Sequence, residues 1–266
     1  MAHKKTARKP IDKGRIADKI FLDLKTQIVD GTYAHGSKLP TEKELAQHYA
    51  VSGPTLREAV RGLTAIGLVE VRHGSGAYVR ADGASMMALS LSAFIQLERV
   101  EASDALGLLA VLNAHAATCA VQHATPADLR RLREAAESLG ELQKLEQAAS
   151  SVRAFHRALS SCAHNPLLAA ICGFLSDLQV EFAIRIAGDS IDVWRTMFTG
   201  LHPFRLRIVD SIERRNAKSA ARYTREFHAE AIRIITAMPG ARDMKIEGRH
   251  LSSMWSSAVS DISKFA

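Results

Sequence analysis

The chain has 266 residues, of which 47% are hydrophobic and 24% charged, and its net charge is +7. This length is enough for two domains with cores of their own. Residues 1–80 carry 14 lysines and arginines against 8 acidic residues, whereas the remainder carries 21 against 20. We see no signal-peptide pattern and no apolar run close to 18 residues, so we expect neither a secreted nor a membrane protein. The basic N-terminal part favours a polyanionic partner.

The first predicted elements are a basic arm and a helix. Residues 1–11 form the arm, which we expect to be disordered, and which either contacts phosphates or is a solvated tail. Ile16, Ile20, Leu24 and Ile28 then repeat every four residues. This spacing predicts an amphipathic helix, the first of an N-terminal domain over residues 12–80.

Two shorter helices follow, and their sequence predicts a helix-turn-helix. Thr41 and Glu44 have the spacing of a capping box, which satisfies backbone donors at a helix start. Ser52 is placed to cap the next helix, and Pro54 falls in its first turn, where backbone N–H groups have no helical partner. The N-terminal residues of such a second helix meet base edges in the major groove. The pattern therefore predicts a DNA-binding domain.

A small hairpin completes this domain. Gly67 ends the helix, and Val69, Val71 and Tyr78 alternate as strand residues around a turn. The turn, residues 73–76, reads His-Gly-Ser-Gly, which is small enough for close approach to a duplex. Each motif alone is a weak signal, but their order and spacing predict a winged helix-turn-helix. Residues 81–87 are predicted to be a linker.

These motifs resemble the signature of the GntR superfamily of bacterial transcription regulators. The stretches that carry the resemblance are residues 28–31, 39–46, 51–60 and 73–76. Carried over by position, the resemblance implies DNA contacts by Lys43, Ser52, Gly53, Thr55, Arg57, His73 and Gly74. We add Arg61, which lies on the outer face of the same helix as Arg57.

Two of these positions depart from the family pattern. Gly53 and Lys43 stand where the family has arginines. A missing guanidinium removes a bidentate guanine partner worth about 1–3 kcal/mol of discrimination. We therefore expect an operator that differs from the common family half-site, or weaker specificity.

Residues 88–239 show helical periodicity almost throughout and no strand alternation. Residues 125–128 and 165–166 have the cap and first-turn proline of helix starts, and residues 202–203 are interpreted as a third start. The pattern predicts an all-α bundle of six to seven helices, so the chain is mainly α. Residues 240–266 are a C-terminal extension to which we assign no function.

The cysteines point to a reducing compartment. Cys119, Cys162 and Cys172 are odd in number and lie in apolar helical stretches. We therefore expect reduced core residues and a cytoplasmic protein.

This second domain resembles the all-helical FCD domain of the FadR branch, which binds small effectors and dimerises. The resemblance is carried by residues 124–129, 155–159, 164–168, 208–212 and 216–221. It implies a homodimer that reads a pseudo-palindromic operator in double-stranded DNA.

The resemblance also implies a divalent metal held by an aspartate and three histidines. Of that set only His156 is present, because the aspartate position is Val152 and the later histidine positions are Arg205 and Phe227. We expect the metal site to be lost and name no cofactor. Replacement of a ligand by His202 or His228 stays open.

An effector site without a metal needs other polar groups. Asn113, His156, Arg185 and Arg205, together with His115, are candidates for a polar cluster in which Arg205 replaces the metal as the partner of an anion. The alternative is a histidine satisfied inside the core and arginines on the surface. Purely aliphatic walls would instead suit a longer apolar or aromatic ligand.

The sequence thus predicts a DNA-binding transcription regulator, in the first place a repressor, whose operator affinity is controlled by a small effector. A visible catalytic base and a complete ligand set are both missing, so we do not expect an enzyme. Two alternatives stay open: a constitutive DNA-binding regulator with a vestigial pocket, and a metal-dependent enzyme domain tethered to DNA.

Overall fold

A computed structural model of the chain describes residues 13–80, 83–139, 145–188 and 190–237. The chain divides after Met86 into two compact units, called here the N-terminal unit and the helical unit. The predicted arm and the predicted C-terminal extension lie outside the described residues.

The N-terminal unit is a winged helix-turn-helix, as the sequence predicts. Its two strands form an antiparallel pair in which Val69 lies opposite Val79 and Arg72 lies opposite Gly76. In chain order its elements are α1 (Lys13–Val29), α2 (Glu42–His48), α3 (Gly53–Ala65), β1 (Val69–Arg72) and β2 (Gly76–Val79).

The core of this unit forms because α1 and α3 each present one apolar face. Leu24 of α1 and Leu56 and Leu63 of α3 are fully buried, and Ile20 and Ile28 are nearly so. Burying a leucine or isoleucine side chain stabilises the fold by about 1.5–3 kcal/mol. This packing fixes which face of α3 is turned away from the core.

Helix α2 begins with the predicted capping box. The backbone N–H of Glu44 donates to the Thr41 hydroxyl at 3.3 Å, and the backbone N–H of Thr41 donates to the Glu44 carboxylate at 2.8 Å. At the other end of α2, the Tyr49 hydroxyl donates to the carboxylate of Asp23 at 2.7 Å. The box starts α2, and the Tyr49 bond joins it to α1.

The helical unit contains seven helices among the described residues, counting α4, whose first four residues precede the boundary. Residues 83–87, the last five of the seven in the expected linker over 81–87, are helical and begin α4. Gly83 and Ser85 indicated a loop, yet glycine and serine are tolerated in the first turn of a helix. The helices are α4 (Gly83–Leu97), α5 (Ala102–His123), α6 (Pro126–Ser138), α7 (Leu145–Ser161), α8 (Pro166–Ala187), α9 (Ile191–Glu213) and α10 (Ala217–Thr236).

The expected helix start at residues 202–203 is also wrong. Pro203 lies inside α9, which is continuous from residue 191 to residue 213. A proline removes one backbone hydrogen bond from a helix interior and favours a break. Here Leu201, Ile208 and Val209 are buried in the core on both sides of it, and that packing holds the helix together.

Within the described part of the chain, α5 and α8 are long and apolar enough to span a membrane by length and composition alone. About half of each candidate span is buried inside the protein. Core helices pass the same test, and these two supply buried residues such as Leu109 and Leu178.

All three cysteines are free thiols, as expected. Cys162 and Cys172 are buried, and burial raises the pKa of each thiol to about 11. Both thiols are therefore neutral at pH 7 and serve as core side chains.

Candidate functional site

The outer face of α3 carries the main basic groups predicted to meet DNA. Arg57 and Arg61 are exposed on α3, Ser52 is exposed at its N-cap, and Lys43 is exposed on α2. Arg57 forms a 3.6 Å ion pair with Glu42 in which both side chains are about half exposed. Such a surface pair contributes at most about 1 kcal/mol, so phosphate or base contacts can replace it.

Thr55 does not lie on that outer face. Its side chain is 7% exposed, because Thr55 shares the buried face of α3 with Leu56 and Ala59. The Thr55 hydroxyl lies 2.9 Å from the Ser52 hydroxyl. Ser52 therefore bonds a side chain, and its predicted cap bond to a backbone N–H is not formed. Thr55 orients Ser52 from inside the fold.

The wing tip is held by its own turn. Gly74 and Gly76 have φ values of 69° and 116°, which L side chains rarely adopt. A Cβ at Gly76 would lie 2.8 Å from the Cε of Lys38. The Ser75 hydroxyl lies 2.7 Å from the Tyr78 hydroxyl across the turn. His73 and Gly74 are thereby exposed at the tip of a fixed hairpin.

A polar cluster lies inside the helical unit. Asn113, His156, Arg205 and His228 come from α5, α7, α9 and α10, and each is at most 2% exposed. The amide Nδ2 of Asn113 lies 3.3 Å from Nδ1 of His156 and 3.0 Å from Nε2 of His228. The structure thus brings three of the four predicted effector residues together.

Burial sets the charge states in this cluster. It lowers the pKa of His228 to about 3, and it lowers the pKa of His156 well below its ordinary value, with further lowering from the charges of His228 and Arg205. Burial also lowers the pKa of Arg205 to about 9. At pH 7 both imidazoles are therefore neutral, while the guanidinium is still a cation.

The hydrogen bonds of Asn113 select the tautomers of the two histidines. As placed, the amide nitrogen uses both of its hydrogens, one on each imidazole, and Oδ1 is the atom with no partner among the described residues. The opposite amide orientation would leave both amide N–H groups buried without partners, whereas in the placed orientation the Nε2–H of His156 is the one N–H of this pair without a partner among the described residues, so the placed orientation costs less. His156 therefore accepts at Nδ1 and carries its proton on Nε2.

Next to this cluster is a cavity of about 30 Å³. His156, Gln179 and Arg205 supply its polar groups, and most of the remaining wall is apolar. In the described structure neither Nε2 of His156 nor Oε1 of Gln179 has a hydrogen-bond partner. The volume equals that of one or two water molecules, so a larger ligand requires the helices to move apart.

The other predicted cluster members lie elsewhere. Arg185 is exposed in the last turn of α8, and His115 is exposed on α5, 3.5 Å from the Cys119 sulfur. Both side chains are on the solvent side of their helices. This corrects the expectation that they join Asn113 and His156.

His228 and Gln179 are the polar residues that sequence reasoning missed as members of the site. From the sequence, His228 is a candidate only as a substitute metal ligand. The sequence does carry a signal for His228, because Thr224, His228, Ala231 and Ile235 have the spacing of one face of a helix. The structure shows that this face of α10 is buried.

The residues present do not fit the divalent metal that the family resemblance implies. Val152 and Phe227 have no metal-binding atoms, which leaves His156 as the one residue of the implied set that could bind a metal. Arg205 adds a positive charge close to any bound cation. Within the described ranges, no three His, Cys, Asp or Glu side chains form a group that could hold a metal ion.

A winged helix-turn-helix with an exposed basic recognition helix, followed by an all-helical unit with a buried polar cluster, defines a two-domain DNA-binding transcription regulator. Comparison with protein families agrees. Residues 16–79 match "Bacterial regulatory proteins, gntR family", and residues 104–230 match "FCD domain".

Relatives extend over both units. The HTH-type transcriptional regulator LutR of Bacillus subtilis is 30% identical over 155 residues, 58% of this chain and 71% of LutR. The galactonate operon transcriptional repressor of Escherichia coli is 29% identical over 188 residues, 68% of this chain and 81% of that repressor. The structure of a Streptococcus agalactiae GntR shares the fold with a TM-score of 0.59 at 20% identity, covering 82% of this chain and 99% of that one. The chain therefore belongs to the GntR family of bacterial transcription regulators, and the prediction from sequence is confirmed.

Proposed function

We propose that this GntR-family regulator acts in the cytoplasm as a homodimer that binds a pseudo-palindromic operator and leaves it when an effector enters the helical unit. The exposed basic face of α3 is the observation that carries the proposal. Two copies related by a two-fold axis would present two such helices to half-sites about one helical turn apart. Repression is the proposed sign because several relatives are named as repressors.

In this proposal Arg57 and Arg61 contact bases or phosphates from α3, and Lys43 adds a phosphate contact from α2. Ser52 and Gly53 lie at the start of α3, where the chain approaches base edges most closely. His73 and Gly74 extend the contact through the wing. Thr55 acts indirectly, by orienting Ser52.

Dimerisation through the helical unit is supported by apolar side chains on its surface. Leu108 and Val111, three residues apart on α5, are 51% and 65% exposed, and Phe94 and Leu97 on α4 are 56% and 80% exposed. Side chains this apolar are favourably covered by a partner surface. We propose that a second copy covers them.

Effector control is proposed for the cluster of Asn113, His156, Arg205 and His228. The effector would bind the helical unit more tightly when the N-terminal units have one orientation than when they have another. Operator affinity would then change by the difference between the effector's affinities for these two states of the protein. The cavity of about 30 Å³ also favours a second candidate, a constitutive regulator whose pocket is vestigial. We assign no catalytic role to the cluster.

The test is a footprint of the purified protein on the intergenic DNA beside its own gene, repeated across a salt series. A protected palindrome whose affinity falls steeply with salt is the expected result, because phosphate contacts release counterions. Diffuse binding with no protected site would contradict the proposal of operator recognition. Loss of protection on addition of a metabolite would separate effector control from constitutive binding.

A further inference from the structure

The cavity beside the polar cluster presents hydrogen-bond donors from two different helices. Arg205 of α9 contributes its guanidinium, and His156 of α7 contributes the Nε2–H that the bond from Asn113 leaves in place. The lining side chains that the structure describes include this one cation and no carboxylate. Donors around a small, nearly closed space are complementary to an anion with two oxygens.

We propose that the helical unit binds a small monocarboxylate directly on Arg205 and the Nε2–H of His156, with no metal ion between protein and ligand. The inference rests on the proposed function, in which this unit is the effector-binding part of the regulator. The guanidinium takes the electrostatic role that a divalent cation has elsewhere in the family. Gln179, whose amide also faces the cavity, can donate to or accept from a second polar group of the ligand.

The apolar walls restrict the rest of the ligand. Val152, Trp194 and Leu201 also line the cavity, and a second charged group on the ligand would be buried among such apolar side chains. Burying an uncompensated charge is costly, so a dicarboxylate is disfavoured relative to a monocarboxylate with a short aliphatic body.

Room for that body has to come from movement of a helix. Pro203 lies in α9 between Leu201 and Arg205, both of which line the cavity. Because the proline removes a backbone hydrogen bond, α9 is easiest to deform at this point. Opening there would enlarge the cavity next to the guanidinium and would transmit ligand binding to α9.

The experiment is isothermal titration calorimetry on the full-length protein, purified without a metal-affinity tag and kept in EDTA. The probes are formate, acetate, propionate and butyrate, each paired with its neutral amide. We expect the carboxylates to bind in EDTA, with affinity rising along the series, and the amides to bind at least tenfold more weakly. Carboxylate binding that appears only after addition of zinc or manganese would overturn the proposal.

Variants test the assigned groups. Arg205→Met is expected to weaken propionate binding at least tenfold, whereas Arg207→Met, which removes an exposed arginine two residues along the same helix, should leave it unchanged. If Arg205→Met does not fold, Arg205→Lys keeps the charge but loses the planar pair of donors and should bind propionate with intermediate affinity. Equal binding by Arg205→Lys and the unmodified protein would argue against a bidentate contact.

Asn113 is a positioning residue in this scheme, and its test is spectroscopic. The ¹⁵N chemical shifts of His156, assigned by comparison with His156→Gln, should report a neutral ring protonated on Nε2. Asn113→Asp places an acceptor against Nδ1 and should move the proton to that nitrogen, with weaker propionate binding. Unchanged shifts in Asn113→Asp would refute this role.

Failure of this inference can be distinguished from failure of the proposed function by mobility shifts on the footprinted operator. If carboxylates do not bind in EDTA but another class of compound releases the operator, the inference is wrong and effector control stands. If neither carboxylates nor a broad metabolite panel shifts the melting temperature or releases the operator, effector control is wrong as well.

Discussion

The guanidinium of Arg215 donates a hydrogen bond to the backbone carbonyl of Val121 at 2.7 Å, and a second one reaches the carbonyl of Ala124 at 2.9 Å. Arg215 lies in the turn between α9 and α10, and the two carbonyls are at the C-terminal end of α5. The last carbonyls of a helix have no partner within it and carry partial negative charge. This contact therefore fixes α5, which carries Asn113, against the start of α10, which carries His228.

Replacing Arg215 by alanine should lower the free energy of unfolding by about 1–2 kcal/mol, since hydrogen bonds from a charged donor are lost. Urea denaturation followed by circular dichroism measures the change. Arg214→Ala removes the neighbouring exposed arginine and should stay within about 0.5 kcal/mol of the unmodified protein. Equal stability of the two variants would mean that the Arg215 contact contributes nothing.

The carboxylate of Asp128 should make the stability of the protein depend on pH in the acid range. Its pKa is held well below the ordinary value by hydrogen bonds from the Thr125 hydroxyl, from His164 and from the Thr125 backbone N–H. Because the folded-state pKa lies below the unfolded value of about 3.9, the stabilisation is present above that pH and is lost as the pH falls below about 4.

We expect Asp128→Asn to be about 1–2 kcal/mol less stable than the unmodified protein at pH 7, because hydrogen bonds from Thr125 and His164 to a charged acceptor are weakened. That difference should shrink as the pH is lowered from 4 to 2, because only the unmodified protein loses a buried carboxylate interaction. Urea titrations at pH 7, 4 and 2 measure it. Glu134→Gln, an exposed site on the same helix, serves as the control, and a gap that stays constant down to pH 2 would contradict the assignment.

The N-terminal unit could be predicted from the sequence because its determinants are local. Thr41 and Glu44 are three residues apart, and the wing depends on glycines that are neighbours in the chain. The errors there lie at the start of α3, where Thr55 is buried and Ser52 bonds the Thr55 hydroxyl instead of a backbone N–H. Thr55 was misplaced because an outward position and an inward one differ by a single residue on a helix.

The polar cluster was less predictable because its members come from four helices up to 115 residues apart. The sequence left open whether Arg205 is at the surface or in the core, and only packing around α9 decides it. Pro203 indicated a helix start, since proline is common in first turns. The packing of buried residues on both sides of Pro203 outweighs that preference. No local sequence pattern indicates this packing.

Arg57 should be the strongest single DNA contact on α3. Its side chain is exposed, and its ion pair with Glu42, at 3.6 Å, is open to solvent. Arg57→Ala should weaken operator binding by about 1–3 kcal/mol, measured by fluorescence anisotropy at fixed salt. Lys25→Ala, an exposed site on α1, should bind the operator as the unmodified protein does. An Arg57→Ala affinity equal to that of Lys25→Ala would exclude this docking of α3.

Gly53 offers a gain of affinity instead of a loss. It is the first residue of α3, its backbone is helical, and a Cβ built there meets no atom within 4 Å. Gly53→Arg should therefore fold normally and place a guanidinium where family members have one. On half-sites selected from a randomised library, we expect the variant to bind a guanine-containing site about 5- to 150-fold more tightly, the equivalent of about 1–3 kcal/mol.

Gly53→Ala is the matched control, because it makes the same backbone change without the guanidinium. If Gly53→Arg bound no selected site more tightly than Gly53→Ala, the start of α3 would not face base edges. A general rise in affinity for every sequence would instead show a phosphate contact, which strengthens binding without specifying a base. Selective tightening at one guanine would show that the glycine in this chain has changed the operator while the docking of α3 stayed the same.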